Sequence, residues 1–331
     1  MRATVIGAGV AGLTTALALA ERGAEVTLVE RAPEIGGNAS WLAGGMLAPF
    51  CEGESAPASV VALGRGAIDW WEARVPGVLR LGTLVVAPAR DASEIERFAA
   101  RTSGFERAGE ARIAALEPDL AGRFRSGLFF PTEGHLDPRV AMRALAEAVL
   151  ARGGEIRFGA DGDQLAPGAD AVLDCRGFAA RAELTELRGV RGEMMRLRTR
   201  DVRLNRVVRF LHPRIPLYVV PRGGGEYMIG ATMIESAERG PVTVRSALEM
   251  LNAAYALHPA FGEAEILEMS ADVRPAYPDN EPRVVERDGH IFVNGFYRHG
   301  FLLSPALAER AAALAFQRAS QPPAARPLVE A

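Results

Sequence analysis

Lysine is missing from this chain of 331 residues, so all 38 of its basic residues are arginine. Without lysine the chain cannot form a Schiff base with a carbonyl substrate or with pyridoxal phosphate. It also cannot supply a Walker-type loop, in which a lysine reaches the phosphates of the bound nucleotide. The absence therefore excludes two large classes of enzyme before any motif is considered.

Cysteine is nearly as scarce, because the chain contains only Cys51 and Cys175. Neither belongs to a C-x-x-C pair, and the five histidines show no metal-ligand spacing, so the sequence predicts neither a disulfide framework nor a metal site. No stretch approaches the roughly 18 uninterrupted apolar residues of a membrane span. The first apolar segment is broken by glycines and lacks a cleavage site, so we expect a cytoplasmic protein.

The chain also lacks a large excess of one charge, because 38 basic and 41 acidic residues give a net charge of −3. Without a basic tract the chain has no electrostatic footprint for nucleic acid, and we predict no nucleic-acid partner. At about 100–200 residues per domain, the length predicts one large or two medium domains.

The N-terminal segment has the pattern of a βαβ unit. Residues Ala3–Ile6 predict a buried strand, the next six residues read Gly-Ala-Gly-Val-Ala-Gly, and Leu13–Arg22 has the period of a helix. Residues Glu25–Glu30 predict a second strand that ends in an acid. The glycine motif thus lies between strand and helix, where a dinucleotide-binding site requires it.

Each glycine of the motif has a separate physical role. Gly7 permits the tight turn, Gly9 lets a pyrophosphate approach the backbone, and Gly12 lets helix and strand pack closely. Glu30 follows Gly12 by eighteen residues, where a carboxylate can bind the hydroxyls of the adenosine ribose. An acid at this position argues against a 2′-phosphate on the ribose.

The rest of the chain alternates between two predicted domains. Asp137-Pro138 predicts the start of a helix, and a final helix is expected from about Ser304 to Phe316. Strand-rich runs between residues 186 and 283 predict a separate antiparallel sheet. We assign residues 1–64, 136–185 and 284–320 to the nucleotide-binding domain, 65–135 and 186–283 to a substrate domain, and 321–331 to a tail.

Seven segments, in order from residue 5 to residue 305, resemble the D-amino-acid oxidase family of FAD-dependent flavoproteins, and within it most closely the glycine oxidases of thiamine biosynthesis. The Ala-Gly-Gly-Met-Leu-Ala-Pro and Tyr-Arg-His-Gly stretches are the most specific. The segments are Val5–Gly12, Gly36–Pro49, Val190–Glu193, Tyr218–Arg222, Gly230–Met233, Val273–Pro275 and Tyr297–Pro305.

The resemblance implies an α/β fold: a Rossmann-type FAD-binding domain with a discontinuous α+β substrate domain built on an antiparallel sheet. It also implies noncovalent FAD. Three parts of the chain would hold the cofactor: the nucleotide-binding turn, a loop along the flavin and a terminal segment that precedes the last helix. The cofactor residues implied are Gly7, Gly9, Val10, Ala11, Gly12, Glu30 and Arg31; Ala39, Ser40, Gly44, Gly45 and Met46; and Arg298, His299, Gly300, Phe301 and Leu302.

For the substrate, the resemblance implies that Arg274 binds a carboxylate with its planar guanidinium. Tyr218 and Met233 match other pocket positions, and Arg298 matches a position that contacts either the substrate or the cofactor alone. No lysine, histidine or carboxylate stands out as an obligatory catalytic base, so no catalytic residue is named. The chain departs from the family by carrying apolar Pro216 near the pocket tyrosine.

These features predict FAD-dependent oxidative deamination of glycine to an imine and glyoxylate, with formation of hydrogen peroxide and a place in thiamine thiazole synthesis. The expected partners are a small amino acid and oxygen. Sarcosine or a small D-amino acid is the alternative substrate, for an oxidase or a dehydrogenase, and a flavin-binding sensor is the alternative outside enzymes. The electron acceptor and homo-oligomer formation stay open at this point.

Overall fold

The computed structural model describes residues 1–160, 162, 168–212 and 215–320, and the predicted tail lies outside them. The strands in these residues are β1 Arg2–Ile6, β2 Glu25–Glu30, β3 Met46–Leu47, β4 Thr83–Val86, β5 Glu106–Gly109, β6 Ser126–Phe130, β7 Gly134–His135, β8 Glu155–Phe158, β9 Ala171–Asp174, β10 Arg188–Arg198, β11 Val207–Phe210, β12 Leu217–Gly223, β13 Glu226–Gly230, β14 Ile234–Glu235, β15 Glu265–Ala276, β16 Arg283–Arg287 and β17 His290–Asn294. The α-helices are α1 Val10–Glu21, α2 Pro49–Glu52, α3 Ala58–Gly64, α4 Ala67–Glu72, α5 Ala92–Arg101, α6 Glu110–Leu116, α7 Pro138–Ala151, α8 Val244–Leu257 and α9 Gly300–Ala319.

The first sheet has six strands in the order β16-β17-β9-β1-β2-β8. The pairs among β17, β9, β1, β2 and β8 are parallel, and β16 joins the edge as an antiparallel strand. Helices α1, α7 and α9 supply the core around this sheet. This is the predicted Rossmann-type architecture, in which ligands bind beyond the carboxyl ends of the parallel strands.

Glycine shapes the turn from β1 into α1. Gly7 has φ +97°, a left-handed conformation that glycine adopts without steric cost. A Cβ atom on Gly12 would lie 1.7 Å from the carbonyl oxygen of Gly7, so any side chain there would push the helix away from the strand. This is the close packing expected of Gly12.

The second sheet has nine strands in the order β14-β10-β13-β12-β11-β4-β6-β5, with β15 also paired to β10. It draws β4 to β6 from the earlier segment and β10 to β15 from the later one, as expected of a discontinuous domain. The pairs formed within residues 186–283 are all antiparallel, as expected, whereas β4 from the earlier segment runs parallel to β11. The two strands are far apart in sequence, so no hairpin turn fixes their relative direction.

Helix α4 packs with the first domain although it follows the boundary predicted after residue 64. Ile68 and Trp71 belong to the core of the parallel sheet, and the indole N–H of Trp71 donates to the carbonyl oxygen of Phe301 over 2.8 Å. The domain division stays a prediction, and this packing favours a first boundary after Val75. Among the described residues, no helix is long and apolar enough to cross a membrane.

The final helix starts earlier than predicted. Helix α9 begins at Gly300 rather than Ser304 and ends at Ala319. Pro305 lies inside it at the sixth position and has no N–H for the carbonyl of Phe301, which instead accepts from the indole of Trp71. Gly300, Phe301 and Leu302 are therefore the first turn of the helix itself, not a segment that precedes it.

Candidate active site

One cavity of about 420 Å³ lies beyond the carboxyl ends of β1 and β2 and extends to the face of the second sheet. The predicted site residues line it, with Gly12 as the exception because it packs against Gly7. The structure therefore brings together segments that are up to about 290 residues apart in the chain. Their individual roles stay predictions.

At the nucleotide end, Glu30 closes the turn after β1. Its Oε2 accepts a hydrogen bond from the N–H of Ala8 over 2.7 Å, and its Oε1 accepts from the N–H of Ala32 over 2.9 Å. Each carboxylate oxygen keeps a further lone pair for a hydroxyl donor. The acid predicted to bind a ribose thus lies at the end of β2, beside the glycine turn.

The substrate end is marked by Arg274 on β15. Its Nη1 donates to the carbonyl oxygen of Thr232 over 3.0 Å, and no described carboxylate lies within salt-bridge distance of it. Burial lowers its pKa to about 10, so the guanidinium stays charged at neutral pH. A buried cation without a counter-ion favours the entry of an anionic ligand group.

The neighbouring strand leaves room for this guanidinium. Arg274 lies opposite Val190 in the β10–β15 pair, and a Cβ atom on Gly192 would lie 2.2 Å from its Cζ atom. A side chain at Gly192 would therefore displace the arginine from the cavity. The Val-Arg-Gly-Glu segment on β10 thus has a steric reason for its glycine.

Glu52 is a buried carboxylate in the cavity that the sequence analysis did not identify. Its Oε1 accepts from the hydroxyl of Tyr218 over 2.8 Å, its Oε2 lies 2.6 Å from Nη2 of Arg298, and the same Oε2 lies 3.6 Å from Nδ1 of His299. Glu52 thereby connects β12 of the second sheet to the segment that starts α9. No local pattern singles it out, since it simply follows Ala-Pro-Phe-Cys and the short helix α2 carries it into the cavity.

The charges in this cluster determine its protonation. Burial acts to raise the pKa of Glu52, but the positive charges of Arg298, His299 and Arg209 outweigh it and hold the pKa at about 2. Burial lowers the pKa of His299 itself to about 4, so at neutral pH the two arginines are the cations that hold Glu52 ionised. Burial also raises the pKa of Tyr218, which therefore remains a neutral hydrogen-bond donor.

Arg298 and Arg274, both predicted to bind the substrate, differ in their surroundings. Arg298 is neutralised by Glu52 and also donates to Oγ of Ser55 over 2.8 Å. Its Nη1 lies 3.5 Å from Sδ of Met233, whose side chain is 47% exposed at the entrance to the cavity. Arg274 is therefore the stronger candidate for the carboxylate of a substrate.

A family model described as FAD dependent oxidoreductase matches residues 2–314. The chain belongs to this family. A provisionally named thiamine biosynthesis oxidoreductase ThiO from Rhizobium etli is 56% identical over 97% of this chain and 98% of its own length. A glycine oxidase from Pseudomonas aeruginosa is 29% identical over 92% of each chain. The solved glycine oxidase of Bacillus cereus shares the fold, with a TM-score of 0.81, 23% identity and coverage of 96% and 95%.

The cavity fits the FAD of this family. Gly44 and Gly45 of the loop line it, and a Cβ atom on Gly45 would lie 2.3 Å from the carbonyl oxygen of Leu136 behind the loop, so a side chain there would displace the loop. Gly45 has φ +67°, which favours glycine on conformational grounds as well. Ser40, from the same loop, accepts a hydrogen bond on its Oγ from the N–H of Val10 at the start of α1. The loop and the nucleotide turn therefore form one continuous surface.

Proposed function

We propose that this chain is an amino acid oxidase that converts glycine to its imine and then to glyoxylate, with oxygen reduced to hydrogen peroxide. The observation that carries the proposal is the buried, unpaired guanidinium of Arg274 inside a cavity suited to FAD. A cation of this kind matches the carboxylate that every α-amino acid carries. Membership of the FAD-dependent family supports the redox part of the reaction.

The residues of the cavity would act mainly by positioning. Arg274 binds the substrate carboxylate through its two terminal nitrogens, and the nearby ion pair of Arg298 with Glu52 presents no free charge for a second carboxylate. Binding at one end orients Cα and the amine towards the cofactor end of the cavity, and such orientation can supply a large part of the rate enhancement. FAD, when bound, supplies the two-electron acceptor for the Cα–H bond and the route to oxygen.

Neither Glu52 nor His299 is suited to remove a proton from Cα. The pKa of Glu52 near 2 makes it a weak base, and His299 is neutral and buried with its Nδ1 directed at Glu52. A substrate with a neutral amine needs no base, because its own lone pair assists departure of the hydride from Cα. We therefore assign no catalytic acid or base to the chain.

A role in thiamine synthesis is supported by the name of the Rhizobium etli relative, which is 56% identical to this chain. The imine formed from glycine would be the product used there, and its hydrolysis gives glyoxylate. Sarcosine and small D-amino acids are the alternative substrates, since one methyl group changes pocket binding by only about 1–3 kcal/mol.

The test is peroxide formation by the purified holoenzyme with glycine, sarcosine, D-alanine and D-proline under air. We expect the highest kcat/KM with glycine, together with stoichiometric glyoxylate. A higher kcat/KM with sarcosine or D-alanine would reassign the substrate. Reduction of the bound flavin by none of them would contradict the proposal, and flavin reduction without peroxide would make the protein a dehydrogenase.

A further inference from the structure

Arg222 on β12 is a buried arginine that lies behind the wall of the cavity. Its side chain is 6% exposed, and its nearest acidic group is Asp137, whose Oδ2 lies 3.9 Å from Nε. Its two terminal nitrogens instead bind main-chain carbonyls: Nη1 donates to Leu136 over 2.9 Å, and Nη2 donates to Ala43 over 3.3 Å and to Gly44 over 2.8 Å.

The contacts of Arg222 fix the orientation of two successive peptide groups. A trans peptide is planar, and its N–H points opposite to its C=O. Because the carbonyls of Ala43 and Gly44 both point at Arg222, the N–H groups of Gly44 and Gly45 both point away from it. Gly44 and Gly45 line the cavity, and neither N–H has a hydrogen-bond acceptor among the described residues.

The apolar side chains around the loop hold it in place but do not fix the orientation of those two peptide groups. Leu42 and Met46, on either side of the pair, pack in one apolar cluster with Tyr218 and Val220 of β12. Tyr218 and Val220 lie two residues apart on β12 and share a face, and the hydrogen bonds of Arg222 place it against the same loop. Apolar packing is not directional, whereas a planar guanidinium with several donors imposes a direction on each carbonyl.

We propose that Arg222 is a positioning residue that holds the N–H groups of Gly44 and Gly45 as two adjacent donors facing the isoalloxazine. Adjacent N–H groups of this kind form a site for negative charge, and a flavin gains negative charge when it is reduced or binds an anion. Arg222 would therefore act on the cofactor without contacting it. The proposal depends on FAD, not on the identity of the amino acid substrate.

The test uses holoenzyme of the variants Arg222→Met and Arg222→Lys, with Arg196→Met as the matched control. Arg196 is a half-buried residue of β10 that pairs with Glu226 and Glu268. Its replacement therefore removes a nearby positive charge without removing a hydrogen bond to the loop. Three quantities are measured: the affinity for sulfite from bleaching of the visible flavin absorbance, the rate of FAD release on dilution, and the midpoint of thermal unfolding.

We expect Arg222→Met to weaken sulfite binding by about tenfold or more and to speed FAD release, with Arg196→Met close to the wild type. Arg222→Lys keeps the charge but cannot span three carbonyls, so it should also weaken sulfite binding, by at least about threefold. If Arg222→Met does not fold, the lysine variant decides. Unchanged sulfite affinity with a lower unfolding midpoint would show a purely structural role and overturn the proposal, as would an equal loss in Arg196→Met.

Discussion

The hydroxyl of Tyr218 donates a hydrogen bond to the buried carboxylate of Glu52 over 2.8 Å. Tyr218 belongs to the second sheet, whereas Glu52 follows the loop that lines the FAD cavity, so the bond joins the two domains across the site. The same carboxylate neutralises Arg298. This one acidic side chain thus determines whether Arg298 is a free cation at the substrate end, where no described carboxylate lies within salt-bridge distance of Arg274.

Replacement of Arg274 tests its role as the carboxylate anchor. Arg274→Met should retain FAD and lower kcat/KM for glycine by at least about 30-fold, since loss of a buried charged partner costs about 2–5 kcal/mol. Arg157→Met, at an exposed ion pair on β8, is the control. Steady-state kinetics with the flavin content of each preparation measures the effect. Wild-type kcat/KM in the methionine variant would remove Arg274 from the site.

Replacement of Glu52 should change the charge selectivity of the cavity. In Glu52→Gln the amide can still accept from Tyr218, but Arg298 loses its counter-ion. Two unpaired arginines should then bind acetate more tightly as a competitive inhibitor. Loss of the buried pair should also lower the free energy of unfolding by roughly 3 kcal/mol.

The control for Glu52 is Glu117→Gln, which removes a buried acid that pairs with Arg206, and neither residue of that pair lines the cavity. Acetate inhibition constants and urea unfolding measure the two effects. Equal acetate affinity in Glu52→Gln and the wild type would show that Arg298 is not accessible to the ligand.

Much of this site was predictable from the sequence, and there is a physical reason why the remaining residues were not. The Gly7 to Gly12 turn and Glu30 were predictable because their roles depend on local chain geometry and a fixed spacing. Glu52 was not, because its importance depends on Tyr218 and Arg298, which lie more than 160 residues away. Long-range pairing of charges leaves no periodic signal in a single sequence.

In the fold, too, the features that depend on local sequence were predictable and those that depend on distant parts of the chain were not. Strand β2 was predicted at the observed bounds because it is a short apolar run between turn residues. The early start of α9 was not predicted, since Pro305 reads as a helix start when it stands in the first turn. The parallel β4–β11 pair was missed because strand direction is set by the path of the whole chain.

Gly12 should not tolerate even a methyl group. In Gly12→Ala the new Cβ atom would collide with the carbonyl oxygen of Gly7 at 1.7 Å, so α1 must move from β1 and the nucleotide turn must distort. We expect loss of most bound FAD. Gly66→Ala is the matched control, because its Cβ atom meets nothing within 4 Å, and it should change stability by less than about 1 kcal/mol. Full flavin occupancy in Gly12→Ala would contradict this prediction.

Glu133 should make stability depend on pH. Burial raises its pKa to about 8, while the unfolded value is about 4.3. Between these values the native state holds a proton that the unfolded state has lost, so the free energy of unfolding falls as pH rises through this window. Glutamine keeps the acceptor for the N–H of Cys51, which lies 2.7 Å from Oε1 of Glu133, but does not titrate.

We therefore expect Glu133→Gln and the wild type to have similar stability near pH 5, and the variant to be more stable by roughly 3–5 kcal/mol near pH 9. Urea unfolding of both proteins at about pH 5, 7 and 9 measures the difference. Parallel stability curves for the two proteins would show that Glu133 does not titrate in this range.

The last prediction concerns the chemical step, in which titration of the substrate amine can be distinguished from titration of the side chains that line the cavity. The pKa of Glu52 is near 2, that of His299 near 4 and that of Arg274 near 10, and burial raises that of Tyr218. None of these four groups changes charge between about pH 5 and pH 9. Glu133, which titrates in this range near Glu52, is replaced by glutamine in the same experiment. A rise in the rate of flavin reduction that persists in Glu133→Gln would therefore report deprotonation of the substrate amine.

Rapid anaerobic mixing with glycine and with glycine deuterated at Cα measures that rate. We expect it to increase with pH at subsaturating glycine, because only the neutral amine has the lone pair that assists hydride departure from Cα. We also expect a primary isotope effect at saturating glycine, since the Cα–H bond breaks in that step. A rate that rises with pH but shows no isotope effect where chemistry limits reduction would contradict hydride transfer. A rate independent of pH would contradict the requirement for a neutral amine before reduction.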